Sequence, residues 1–186
     1  MAIQTLRKII RPLMQISLGL TCFWTFQQAV SASPFGQGLF GADVPFGSAT
    51  SIAIALGGDV SINLVPSGSN FTGTGSHTIT VTSTDVVGYK LYAYSPVTTM
   101  TSGSETIPAS ANGSPASLAV NTWGFNTDGS SNFTGMTTTP MVIKDATGPF
   151  KNGDNTTVTY GVLTDITKGA GAYTVAVTYI AVAETD

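Results

Sequence analysis

Cysteine is almost missing from this chain of 186 residues: there is one, Cys22. An internal disulfide, a thiolate metal site and a redox pair are all excluded by that count. Histidine is as scarce, with His77 alone. A single histidine cannot furnish a multi-ligand metal site, and no Ser/His/Asp spacing marks a triad, which geometry rather than residue type identifies. His77, in SHTITV, therefore reads as a plain strand residue. The only glutamates are Glu105 and Glu184, and neither sits where a glycosidase would need paired carboxylates. Catalytic, cofactor-binding and metal-binding residues are accordingly assigned as none, and enzymatic activity is not expected.

Charge is the next shortage, at 9% of residues. The basic residues of the first segment, Arg7, Lys8 and Arg11, all precede position 12. Beyond residue 32 only Lys90, Lys144, Lys151 and Lys168 remain against all ten acids, a net charge of −6. An acidic, arginine-free body has no electrostatic footprint for nucleic acid, so that class of partner is set aside. Low charge here does not mean disorder, because β-branched and aromatic residues are plentiful.

What is present begins with a leader over residues 1–32. A basic stretch precedes an apolar run from Leu13 to Phe26, and the polar exit QQAVSA places small residues at Val30 and Ala32. This has the form of a secretory signal peptide cut before Ser33, and the apolar run is short for a membrane span. Cys22 would leave with it. A secreted, cell-surface location is expected, with membrane contact only through the leader before cleavage.

Residues 33–49, SPFGQGLFGADVPFGSA, form a distinct Gly/Phe-rich extended segment. It is too rich in glycine and proline for a helix, yet it carries Phe35, Phe40 and Phe46 beside a single charge, Asp43. Those three side chains either fold back on their own domain or enter a neighbour's groove, and they are the expected subunit contact.

Residues 50–186 read as one β-domain. Alternation runs through Ile52, Ile54 and Leu56, then Val60, Ile62 and Leu64, then a Gly/Ser/Asn loop to Ser76. Ile79 and Val81 follow. In YKLYAYS, Tyr89, Leu91 and Ala93 share one face and Lys90, Tyr92 and Tyr94 the other. A long loop over 95–116 holds a short edge piece from Glu105 to Pro108. SLAVNTWGF brings Trp123, read as core, and Gly124, read as a close backbone approach. A short strand runs from Met141 to Lys144. Residues 157–183 read as a closing hairpin around Lys168, Gly169, Ala170 and Gly171. Its second arm, apolar on both faces, belongs in the middle of a sheet. About eight strands with regular turn signals predict a two-sheet antiparallel sandwich of Greek-key or jelly-roll type.

Three further features carry chemistry. Lys90, Tyr92 and Tyr94 form an aromatic stripe suited to stacking on sugar rings or to a protein contact. Asn126, Asp128, Ser130 and Asn132 alternate like a Ca²⁺ loop but lack a bidentate acid, and read better as an Asx-rich turn. Asn70, Asn112, Asn132 and Asn155 open glycosylation sequons, all placed in expected loops.

GYKLYAYS, Ile107-Pro108-Ala109-Ser110, SLAVNTWGF, NFTGMTTTP and the AGAY turn together resemble the exported single-domain β-sandwich surface proteins of ultrasmall candidate-phyla (Saccharibacteria-like) bacteria. The resemblance covers most of residues 33–183. It implies a cell-surface β-protein and no catalytic residues; the cysteine pairs of many members have no counterpart here. A weaker similarity, of architecture alone, is to secreted fibre subunits that exchange a strand. The expected function is that of an exported structural protein, a filament (pilus-like) or coat subunit joined to copies of itself through its N-terminal segment. The alternative is a monomeric adhesin or carbohydrate-binding module that meets a host surface or glycans through the stripe.

Overall fold

The computed structural model describes residues 50–185. The leader and the segment with Phe35, Phe40 and Phe46 lie outside the described residues. Ten strands follow one another: β1 (Ser51–Leu56), β2 (Val65–Ser67), β3 (Asn70–Thr84), β4 (Gly88–Tyr94), β5 (Thr99–Ser102), β6 (Glu105–Pro108), β7 (Thr122–Asn126), β8 (Met141–Thr147), β9 (Asp154–Asp165) and β10 (Thr178–Glu184). The larger sheet runs β1-β3-β9-β7, with β2 also on β3; the second runs β10-β4-β8; β5 and β6 form a separate ribbon. Every strand pairing is antiparallel. The described residues are all-β, and the two main sheets close on a shared core as a sandwich.

Alternation decides which side chains enter that core. Ile79 and Val81 of β3, Trp123 and Phe125 of β7, and Val158, Tyr160 and Val162 of β9 come from the larger sheet; Tyr89, Leu91 and Ala93 of β4 and Ala146 of β8 come from the smaller. Burying a large apolar side chain of this kind contributes roughly 1.5–3 kcal/mol. At one end a polar clamp joins the layers. The Tyr89 hydroxyl donates to Asp154 Oδ2 at 2.8 Å, and Lys144 Nζ donates to Asp154 Oδ1 at 2.7 Å.

Four expectations need correction. Residues 60–64 alternate like a strand but are not one. They cross the face of β3 at Gly73 and Gly75, where a Cβ would meet the Asn63 carbonyl at 2.6 Å and Val60 Cγ1 at 2.7 Å. The two glycines, two apart and so on one face, leave room for the crossing chain. The loop expected up to Ser76 is instead the first half of β3, paired with β9 from Asn70 onward. Asn70 and Asn155 consequently lie in strands, not loops. The closing hairpin does not form either: β9 sits between β3 and β7 in one sheet, while β10 pairs with β4 in the other. The arm placed mid-sheet is therefore an edge, and β9 is the central strand. The outward Ile180 and Val182 of β10 remain 39% and 47% exposed, so apolarity on both faces marked an uncovered surface.

Candidate functional site

Between the crossing segment 56–64 and the connection 168–177 lies an open cleft of about 1220 Å³. Its bed is laid by the two central strands of the larger sheet and by β7: His77 from β3, Tyr160 and Val162 from β9, Trp123 from β7. The walls are mostly apolar, with Val60 and Ile62 on one side and Tyr173, Val175 and Val177 on the other. A lining of this type holds an extended apolar ligand or peptide better than a compact polar one.

A hydrogen-bonded chain crosses the cleft from one layer to the other. His77 Nδ1–H donates to the Gly58 carbonyl at 3.1 Å, which leaves Nε2 to accept from the Tyr179 hydroxyl at 3.0 Å. The Tyr160 hydroxyl donates in turn to that of Tyr179. His77 and Tyr179 are 102 positions apart. His77 is thus a strand residue, as its sequence context implies, but it also ties the loop at Gly58 to the far sheet.

Burial pushes the Tyr160 and Tyr179 phenols above their ordinary value, and Tyr89 is raised by burial and by the Asp154 carboxylate it donates to. Above the ordinary phenol value near 10 the unfolded chain gives up these protons while the folded one keeps them. Stability is then full below about pH 10 and falls as the pH rises beyond it. Urea midpoints at about pH 8 and 10.5 should differ in that direction, and Tyr179→Phe should flatten the difference. A midpoint that does not move between the two would contradict buried, protonated phenols.

The aromatic stripe lies on the outer face of the smaller sheet, with Tyr89, Leu91 and Ala93 inward and fully buried. Tyr92 stands between Ile180 of β10 and Val142 of β8. Lys90 bonds Glu184 on one side and reaches Asp145 Oδ2 at 3.3 Å on the other. The Glu184 bond foremost, then Asp145, raises the Lys90 ammonium above its usual range. Lys90 is therefore engaged within its own sheet, and the exposed part of this face is aliphatic and tyrosyl.

The other candidate residues are dispersed. The loop over 126–132 closes on itself: the Asn126 amide donates to the Ser130 and Asn132 carbonyls, and Asp128 Oδ1 accepts from the Ser130 amide. Its oxygens are spent on an Asx-turn network, and that backbone bond to Ser130 is the main reason the Asp128 carboxyl is lowered. No group of three or more metal-ligating side chains occurs among the described residues. Of the sequon asparagines, Asn112 donates its amide to the carbonyls of Ala116, Ser117 and Phe133, which makes it a structural brace of the loop. Asn132 and Asn155 are exposed.

No family model, curated protein or solved structure matches this chain. Sequence reasoning missed the cleft because its parts come from stretches far apart in the chain, from Leu56 to Tyr179; the one local signal was the Gly73/Gly75 pair, which marks a chain crossing.

Proposed function

We propose that this protein is an exported structural subunit that assembles with copies of itself at the cell surface, each copy holding the N-terminal segment of the next. The observation that carries the reading is a mismatch in cover. The body has an apolar-walled cleft and an edge at β1 that pairs with no second strand among the described residues, while the segment before it carries three phenylalanines and one charge. Leaving each phenylalanine in water forgoes roughly 1.5–3 kcal/mol. Contact from segment to body is head-to-tail, so it propagates into a filament unless it closes into a ring. The signal-peptide form of residues 1–32, and the resemblance to exported β-sandwich surface proteins, support the same location.

The test compares the chain from Ser33 with one beginning at Gly47, by light scattering and negative-stain imaging. The longer protein should form filaments or higher oligomers and the shorter one should remain monomeric. Assembly of the truncated form, or a monomeric intact form under all conditions, ends this reading. A second reading then takes its place, supported by the outer face around Tyr92: a monomeric adhesin or carbohydrate-binding module. It requires that Tyr92→Ala and Tyr94→Ala abolish attachment to a glycan or host surface without altering the fold.

A further inference from the structure

The edges of the two main sheets are not equally protected. At β7 the far edge of the larger sheet is capped by paired backbone bonds between Phe125 and Thr134, at 2.9 and 2.8 Å. At β8 the smaller sheet ends in a bulged strand carrying Lys144 and Asp145. Bulges and charges of this kind discourage pairing with another chain. β10 is an open edge, but the side chains it turns inward, Tyr179, Ala181 and Ala183, are already half-buried.

β1 is different. Its sequence, SIAIAL, has no charge, proline or bulge, and among the described residues it pairs only with β3. Ile52, Ile54 and Leu56 stand opposite Ser83, Val81 and Ile79, all fully buried, so they face the interior of the sandwich. Yet Ile54 is 39% and Leu56 55% exposed. β10 approaches β1 across the layers without pairing with it, so the interior is only partly covered at this edge, and the cleft opens beside it at Leu56.

The segment outside the described residues has the complementary pattern. Over residues 40–46, FGADVPF, the even positions are Phe40, Ala42, Val44 and Phe46, and the odd ones Gly41, Asp43 and Pro45. A strand sets these on opposite faces, one wholly apolar and one carrying the charge. Proline is admitted to a strand only where its missing N–H faces away from the ladder. Backbone groups alternate sides in step with the residues, so a strand bonded through its even positions leaves Pro45 on its open side. Seven residues extended span roughly 23 Å, enough to run the length of the six-residue β1.

We propose that residues 40–46 of one copy add as an edge strand to β1 of the next, turning Phe40, Ala42, Val44 and Phe46 inward over Ile54 and Leu56. This rests on the self-assembly reading above and narrows it to one accepting edge and one face of the donor. Phe35 lies outside the added strand and at the other parity, so it is dispensable for the contact. Shifting the donor by one residue would turn Asp43 and Pro45 inward, which fixes the register modulo two.

Cysteine cross-linking tests this in the full chain carrying Cys22→Ser, where no native thiol remains. Neighbouring antiparallel strands hold facing Cα atoms about 4.5–5.5 Å apart, within disulfide reach. One preparation carries Asp43→Cys; a second carries Ala53→Cys or Ala55→Cys, on the outward face of β1; a third carries Val182→Cys on β10. Mixed and oxidised, the first and second should give a reducible heterodimer, and the first and third should not. Phe40→Ser and Phe46→Ser should each abolish assembly while Phe35→Ser retains it. Cross-linking to Val182→Cys instead, or no cross-link at either edge while truncation still abolishes assembly, overturns the β1 assignment and leaves the self-assembly reading standing. A disulfide that forms only when Asp43→Cys and Ala55→Cys share one chain shows the segment folding back on its own edge, and overturns both.

Discussion

Trp123→Ala is expected to lower the stability of the sandwich by about 3–5 kcal/mol, the range for truncating a large buried aromatic. The indole is fully buried, its centroid is 6.2 Å from that of Tyr160, and it belongs to the same core cluster as Met100 and Ile107. Its Nε1–H donates to the Thr98 carbonyl at 2.9 Å, so the substitution also removes one of the two bonds that this half-buried carbonyl accepts, the other coming from the Ala109 amide at 3.0 Å. No disulfide is available to compensate. Tyr92→Ala is the matched control: Tyr92 lies on the outer face of the smaller sheet, where truncation removes partial cover and opens no cavity. Urea denaturation of both variants decides the matter. Equal midpoints would mean that the inward and outward faces of the sandwich have been assigned the wrong way round.

That pair of positions also shows where the sequence was legible. Alternation at Ile79 and Val81 and through 89–93 separated inward from outward residues, because a half-buried strand enforces period two on both of its faces. Trp123, the one tryptophan beyond the leader, was read as core as a large aromatic of a sandwich, and it is buried; β7 is covered on both faces, so period two does not show there. Alternation failed at Val60, Ile62 and Leu64, where a chain lying across a sheet meets the same demand: one side against apolar surface, one side in water. Period two thus reports one-sided burial, and backbone pairing has to be learned from elsewhere.

The error at the C-terminal end has a different origin. A turn-like stretch between two apolar runs looks like a hairpin whichever partners the runs choose. Here the connection over 166–177 carries the chain from one layer to the other, held on the way by backbone bonds between Thr101 and Thr174. The choice is made by contacts far away in sequence: β10 matches β4 from Thr178 opposite Tyr94 to Glu184 opposite Gly88. The cleft was illegible on the same grounds. Its crossing chain of hydrogen bonds joins Gly58, His77, Tyr160 and Tyr179, and no local pattern connects them.

A second large effect is expected at Gly135, where space rather than conformational freedom is the constraint. A Cβ built on Gly135 would lie 1.7 Å from the Ser110 carbonyl oxygen and 2.7 Å from its carbon, so Gly135→Ala cannot be accommodated without moving backbone. Neither partner is free to move. The Ser110 amide donates to the Trp123 carbonyl at 2.7 Å, and the Gly135 amide donates to the Asn112 carbonyl at 2.9 Å. The Asn112 side chain pins the same loop to the carbonyls of Ala116, Ser117 and Phe133. Overpacking by one methyl in a tight site costs about 1–3 kcal/mol, occasionally more. Parting either backbone bond in a buried place adds about 1–3 kcal/mol. Gly135→Ala should therefore destabilise by about 2–6 kcal/mol, comparable to the loss of Trp123 although it adds a single carbon. Gly113→Ala, in the same loop, is the control: nothing lies within 4 Å of its added Cβ, and the smaller freedom of the unfolded chain should leave it neutral or about 0.4–1 kcal/mol more stable. Thermal and urea midpoints of the two alanine variants should separate widely. If they coincide, the loop over 109–118 is not held against Gly135, and the bracing role given to Asn112 fails with it.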